Sequence, residues 1–133
     1  MKKNSILTKS NRKKIEKFSP SDLKKIIVTT LKDHQATDIL VLNIKKLTDI
    51  ADYMIIATAN STIHVKTLIE KTSEKLTSIY LKPIGIEGDD AREWMLIDFG
   101  DLIVHIMLEN TRKFYSLEKL WGINKIIKKR LPN

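Results

Sequence analysis

The stretch that most constrains the fold is EWMLIDFGDLIVHIML, residues 93–108, two apolar runs of strand length joined at Gly100-Asp101. Glycine at the first central position of a two-residue loop suits the primed turns, whose twist matches that of paired strands. Such a turn fixes the register. Phe99 then faces Leu102, Asp98 faces Ile103, Ile97 faces Val104, Leu96 faces His105, Met95 faces Ile106 and Trp94 faces Met107. Side chains alternate between the faces of a strand. One face therefore carries Met95, Ile97, Phe99, Leu102, Val104 and Ile106, with no polar group, and reads as a core face. The other carries Trp94, Leu96, Asp98, Ile103, His105 and Met107. That mixed face is either covered by a helix, with its polar groups at the margin, or a contact surface for a partner.

Around the hairpin the chain alternates between strand and helix patterns. Ser19-Pro20 with Asp22 starts a helix, Ser as cap and Pro in the first turn. Leu23, Ile26, Ile27, Thr30, Leu31 and His34 form its apolar stripe. Residues 38–44 read as a strand covered on both faces, and residues 53–58 as a second strand. Asn60 or Ser61 caps a long helix on which Val65, Leu68, Ile69, Thr72, Leu76, Ile79 and Tyr80 share a face. Residues 83–86 are a short strand leading into the acidic turn 87–90. Glu109 to Trp121 is a turn and short helix with Phe114, Tyr115, Leu117, Leu120 and Trp121 as packing residues. Strand, helix, strand implies a right-handed crossover and a parallel pair. The predicted architecture is α/β, a mixed sheet of about five strands with helices mainly on one face. No helix is left for the other face, which favours an open contact surface.

The formal net charge is +8, unevenly placed. Residues 1–32 carry +8, residues 33–122 carry −4 and residues 123–133 carry +4. Three regions follow: a basic arm over 1–18, expected to be disordered or partly helical, a domain over 19–122, and a basic amphipathic tail over 123–133. In the tail Ile123, Ile126, Ile127 and Leu131 form a stripe between Lys125, Lys128, Lys129 and Arg130. The mildly acidic body argues against a nucleic-acid binder built on the fold itself, and the basic ends are either solvated tails or loose phosphate contacts. Cysteine is absent, which suits a reducing cytoplasm and removes thiolate chemistry. No apolar run is long enough for a membrane span, so no membrane partner is expected.

Motifs for catalysis are missing. There is no G-x-S-x-G elbow and no glycine-rich phosphate loop. His105 with Asp98 would leave a metal shell incomplete, so neither metal nor cofactor is expected. Glu87-Gly88-Asp89 is the nearest approach to a two-metal carboxylate pair, and it falls in a glycine turn.

Six segments, in order, resemble the ribosomal silencing factor family, also called Iojap-related. They are Thr48–Ile56, Ser61–Val65, Gly85–Gly88, Glu93–Asp101, Val104–Met107 and Arg112–Trp121. The resemblance implies a nucleotidyltransferase-like fold without catalytic carboxylates. It implies binding to the large ribosomal subunit at ribosomal protein L-fourteen, blocking of the small subunit, and lowered translation when nutrients are short. It also places the hairpin tryptophan, here Trp94, in the contact surface. On this reading Trp94, Leu96 and Met107 are apolar anchors with His105 beside them, and Asp98, Asp101, Glu93 and Asp90 meet lysines and arginines of the partner. Trp94→Ala is expected to weaken binding without changing fold stability. The basic termini would reach nearby ribosomal RNA, and the free protein could pair with itself. Where the family commonly has a Ser-Gly turn after its second strand, this chain has Ala59-Asn60. The alternative is an enzyme retaining nucleotide transfer through Ser61 and Asp98.

Overall fold

A computed structural model describes residues 18–116. Residues 1–17 of the N-terminal arm, the 123–133 tail, and Leu117, Leu120 and Trp121 lie outside those residues. The first helix, α1, is Pro20–Asp33. Its Ser19 hydroxyl accepts from the Asp22 N–H while the Asp22 carboxylate accepts from the Ser19 N–H, a reciprocal cap. Those bonds, the backbone one foremost, hold the Asp22 carboxyl below its usual range. Strand β1 is Thr37–Asn43 and β2 is Tyr53–Ala59. Ser61 caps α2, Thr62–Ser78. Then come β3, Gly85–Gly88, β4, Trp94–Asp98, β5, Leu102–Leu108, and the short helix α3, Glu109–Tyr115.

The five strands form one mixed sheet in the order β1-β2-β5-β4-β3. Only one neighbouring pair, β2 and β5, runs parallel; α2 carries the chain from β2 to β3 at the far edge, and β4 and β5 then fill the space between. The β4–β5 register is the expected one, from Trp94 opposite Met107 to Asp98 opposite Ile103. Gly100 takes φ +90 while Asp101 keeps an ordinary φ, so only the first central residue needs the left-handed region. Helices α1 and α2 cover one face. Ile27, Leu31, Val65, Leu68 and Leu76 pack there on Ile55, Ile97, Leu102, Val104 and Ile106 in the main core.

Four expectations are corrected. β1 is an edge strand, half-buried only at Ile39, Leu40 and Val41, buried at Leu42 and exposed at both ends, and it is irregular where Asp38 takes φ 47. The short strand is Gly85–Gly88, shifted from 83–86, because the β4 ladder pairs Gly85 with Asp98 through Gly88 with Met95. Helix α2 stops at Ser78, so Tyr80 is not on its packed face; it sits in the left-handed region at φ 67. Phe114 and Tyr115 are not core residues, being 80% and 49% exposed.

The face opposite α1 and α2 is split. On its β1–β2–β5 side a smaller core of Leu42, Met54, Ile56 and Met107 lies under Ile44 and Ala51 of the β1–β2 connection. On its β4 side Trp94, Leu96 and Asp98 remain only half-buried.

Candidate partner-docking site

The strand registers lay the second face out in rows. Thr58, Met107 and Trp94 form one row, and Ile56, His105, Leu96 and Glu87 the next. Helix α3 crosses the first row. The Arg112 guanidinium donates to the Thr58 hydroxyl at 3.0 Å and to the carbonyl of Asp38 at the irregularity in β1. Three residues on, at the C-terminal end of α3, the Tyr115 ring stands 4.7 Å from that of Trp94. Met107, between them, is fully buried. It cannot be the surface anchor expected from the sequence; it is the floor on which Trp94 rests.

His105 is also enclosed, at 6% exposure. Its Nδ1 accepts from the Trp94 indole N–H at 2.9 Å, so its one ring proton belongs on Nε2. Burial pushes its pKa down to about 4, and the ring is neutral at ordinary pH. Rather than facing a partner, His105 fixes the indole. Trp94 itself keeps part of its surface open. It lines two shallow hollows of about 280 and 290 Å³. Asp89, Glu93, Phe114 and Tyr115 share the first with it, and Glu87, Asp89 and Leu96 the second. The arrangement is an aromatic and aliphatic floor with a carboxylate rim, which suits a basic, partly apolar surface.

The other expected residues are more dispersed. Glu93 lies on the rim and is exposed, with its N–H bonded to the Asp89 carboxylate at 3.1 Å. Asp90 is exposed in the same loop. Asp98 is at the far end of β4, where its carboxylate accepts from the Gly100 N–H at 2.8 Å and caps the hairpin turn. Asp101 is exposed in that turn, its carbonyl accepting from the N–H groups of Asp52 and Tyr53. Trp94, Leu96 and Glu93 thus come together, while Asp98 stands about 7 Å beyond Leu96 and about 13 Å from Trp94 along the strand, with Asp101 past it in the turn. Sequence reasoning passed over Phe114, Tyr115, Glu87 and Asp89 as site residues. Adjacent aromatics on a two-turn helix carried the signal, since both cannot face one core.

Ser61 and Asp98 are not brought together. Asp98 is level with Met54 at the start of β2, and Ser61 follows its end, about 20 Å away along the strand. The Ser61 hydroxyl is engaged as an acceptor for the His64 N–H at 3.0 Å. His64 in turn accepts from the Asn60 N–H on Nδ1 and donates from Nε2 to the His34 carbonyl at 2.7 Å. That chain of bonds ties the start of α2 to the end of α1. Among the described residues no group of three or more His, Asp or Glu could hold a metal ion. No helix among them is long and apolar enough to cross a membrane.

Residues 17–132 match the family model described as ribosomal silencing factor during starvation. A ribosomal silencing factor RsfS of Chromobacterium violaceum is 38% identical over 101 residues, 76% of this chain and 83% of that protein. The mouse protein named mitochondrial assembly of ribosomal large subunit protein 1 is 32% identical over 101 residues, 74% of this chain and 44% of its own length. A crystal structure of a Chromobacterium violaceum protein superposes with TM-score 0.77 at 35% identity, covering 80% of this chain and 90% of that one.

Proposed function

The chain belongs to the ribosomal silencing factor family, and from that premise we propose that it binds the large ribosomal subunit and represses translation by keeping the small subunit from joining. The docking surface is the open part of the second sheet face, Trp94 and Leu96 with Phe114 and Tyr115, and its ligand is ribosomal protein L-fourteen. The observation that carries this is the half-buried Trp94, locked by His105 and left open between two carboxylate-rimmed hollows. A protein seated against RNA presents lysines and arginines, which the rim of Glu87, Asp89, Asp90 and Glu93 would meet. The mouse relative's name, which refers to the ribosomal large subunit, supports the same target. The action is occlusion, without catalysis. The basic termini would add phosphate contacts with neighbouring RNA.

Sedimentation of the protein with separated ribosomal subunits tests this. Cosedimentation is expected with the large subunit alone, and pre-bound protein should lower the yield of joined ribosomes. Leu96→Asp is the cleaner site variant, because Trp94→Ala also strands the buried His105 acceptor and so costs stability. Leu96→Asp should weaken binding at least about tenfold. Undiminished cosedimentation of that variant would remove this face from the interface.

A further inference from the structure

Resting on that docking reading, we propose that the first of the two hollows beside Trp94 is a receptor for one arginine side chain of the protein partner. Its walls come from two sources. Rings are supplied by Trp94 of β4 and by Phe114 and Tyr115 of α3, the Tyr115 ring standing 4.7 Å from the indole at 52° and 5.0 Å from Phe114 at 84°. The loop before β4 supplies Asp89 and Glu93. That loop is closed on itself, the Arg92 N–H donating to the Asp89 carbonyl at 3.2 Å and the Glu93 N–H to the Asp89 carboxylate at 3.1 Å. The Glu93 carbonyl in turn accepts from the Leu108 N–H at 3.0 Å, which ties the loop to β5. Two carboxylates thereby line the same hollow as three rings, and among the described residues neither has a cationic partner.

The chemistry of these walls selects the ligand. The indole has spent its one donor on His105, so Trp94 offers ring surface alone. Ring faces and carboxylates both attract a cation, and carboxylates repel a phosphate. Of the two cationic side chains, the guanidinium is planar, weakly hydrated and forked, so it can lie on a ring while its N–H groups reach a carboxylate. An ammonium is a compact, strongly hydrated charge and loses more on leaving water. An apolar side chain would meet the rings and gain nothing from the acids. At about 280 Å³ the space falls below the roughly 300–1,000 Å³ of small-molecule sites and suits the head of one side chain. Phe114, 80% exposed in the free chain, is then the ring that the incoming side chain covers.

The probes are N-acetyl-arginine amide, N-acetyl-lysine amide and N-acetyl-methionine amide, each titrated into the isotope-labelled full-length protein. Saturable shifts are expected with arginine at the Glu93, Trp94 and Tyr115 amides and at the Trp94 indole N–H. Arginine should bind at least about threefold more tightly than lysine, with no response to methionine. Glu93→Gln and Phe114→Leu alter exposed side chains and should each weaken the arginine response without moving the unfolding curve. No saturable shift, an equal response to lysine or methionine, or shifts centred on the turn at Gly100 and Asp101 would each overturn the arginine site. On the large subunit, Glu93→Gln/Phe114→Leu should weaken binding about tenfold. Binding at the unmodified level would overturn the use of the hollow in docking. A second copy could also bring an arginine, through its exposed Arg92. A dimer of the unmodified chain that Arg92→Gln converts to a monomer would assign the hollow to self-association and overturn the partner. Should the unmodified chain fail to bind large subunits, the docking reading falls, and the titration still decides whether the hollow takes a guanidinium.

Discussion

His105 and Met107 show what a residue on a mixed face does when an element crosses over it. With its pKa lowered from 6.5 to about 4 by burial, His105 binds a proton in the unfolded chain but not in the folded one across that window. The unfolded state then holds more protons, so stability rises with pH from about 4 to 6.5 and is lost on acidification. The loss is on the order of 3 kcal/mol once pH falls below the folded value. Urea unfolding at pH 4.5 and 7 should show most of this difference, and His105→Gln should flatten it. At Met107 the expectation is purely structural: Met107→Ala should cost about 2–4 kcal/mol of stability, measured by the same unfolding curves. Leu96→Asp, half-buried one row away, should cost less than about 1 kcal/mol and act on binding instead. The pairing of Trp94 with Met107 and Leu96 with His105 was readable from the Gly100 turn alone. Which of the four would be covered was not, because that depends on the β1–β2 connection that packs over Met107 and on α3, whose Arg112 reaches back to Thr58 and Asp38.

Elements with strong local signals were legible at both ends of the argument. The Ser19-Pro20 start, the Ser61 cap and the two hairpin strands all lie where capping and alternation put them. Helix ends were harder, and the reason is specific. Both α1 and α2 close in the same six-residue pattern, with Gln35 and Ala36 bonding back to Lys32 and Leu31, and Tyr80 and Leu81 to Thr77 and Leu76. That motif ordinarily places glycine at its left-handed position, and here Gln35 and Tyr80 occupy it at φ 64 and 67. Without glycine the sequence gives no stop signal. The same geometry yields a prediction: Gln35→Gly should raise the unfolding free energy by about 1 kcal/mol by relieving the left-handed strain, and Gln35→Val should lower it. β3 was displaced for a different reason. Its edge position leaves Ile84 and Ile86 exposed, so alternation there did not report burial. Its register is set by close approach to β4, where a Cβ on Gly88 would lie 2.5 Å from the Met95 side chain.

At the scale of the whole molecule the charge is divided between parts of opposite sign. The 33–122 body carries −4 and the first 32 residues +8. A single electrostatic term cannot describe such a chain on a ribosome. On the proposed docking, an acidic rim against a basic protein would steer the encounter and appear in the association rate, so Glu87→Lys/Glu93→Lys should slow binding to large subunits several-fold. Contacts between a basic arm and RNA phosphates act differently, through released counterions, and each contributes roughly 0.7–0.9 to the slope of log affinity against log salt. Residues 1–17 hold seven lysines and arginines against Glu16. If even three of those cations meet phosphate, their removal should lower that slope by about two to three and weaken binding most at low salt. The measurement is a salt series of large-subunit binding for the full chain and for the chain lacking residues 1–17. An unchanged slope would confine the interaction to the sheet face and leave the arm as a solvated extension, since protein–protein contact across Trp94 and Leu96 has no comparable store of counterions to release.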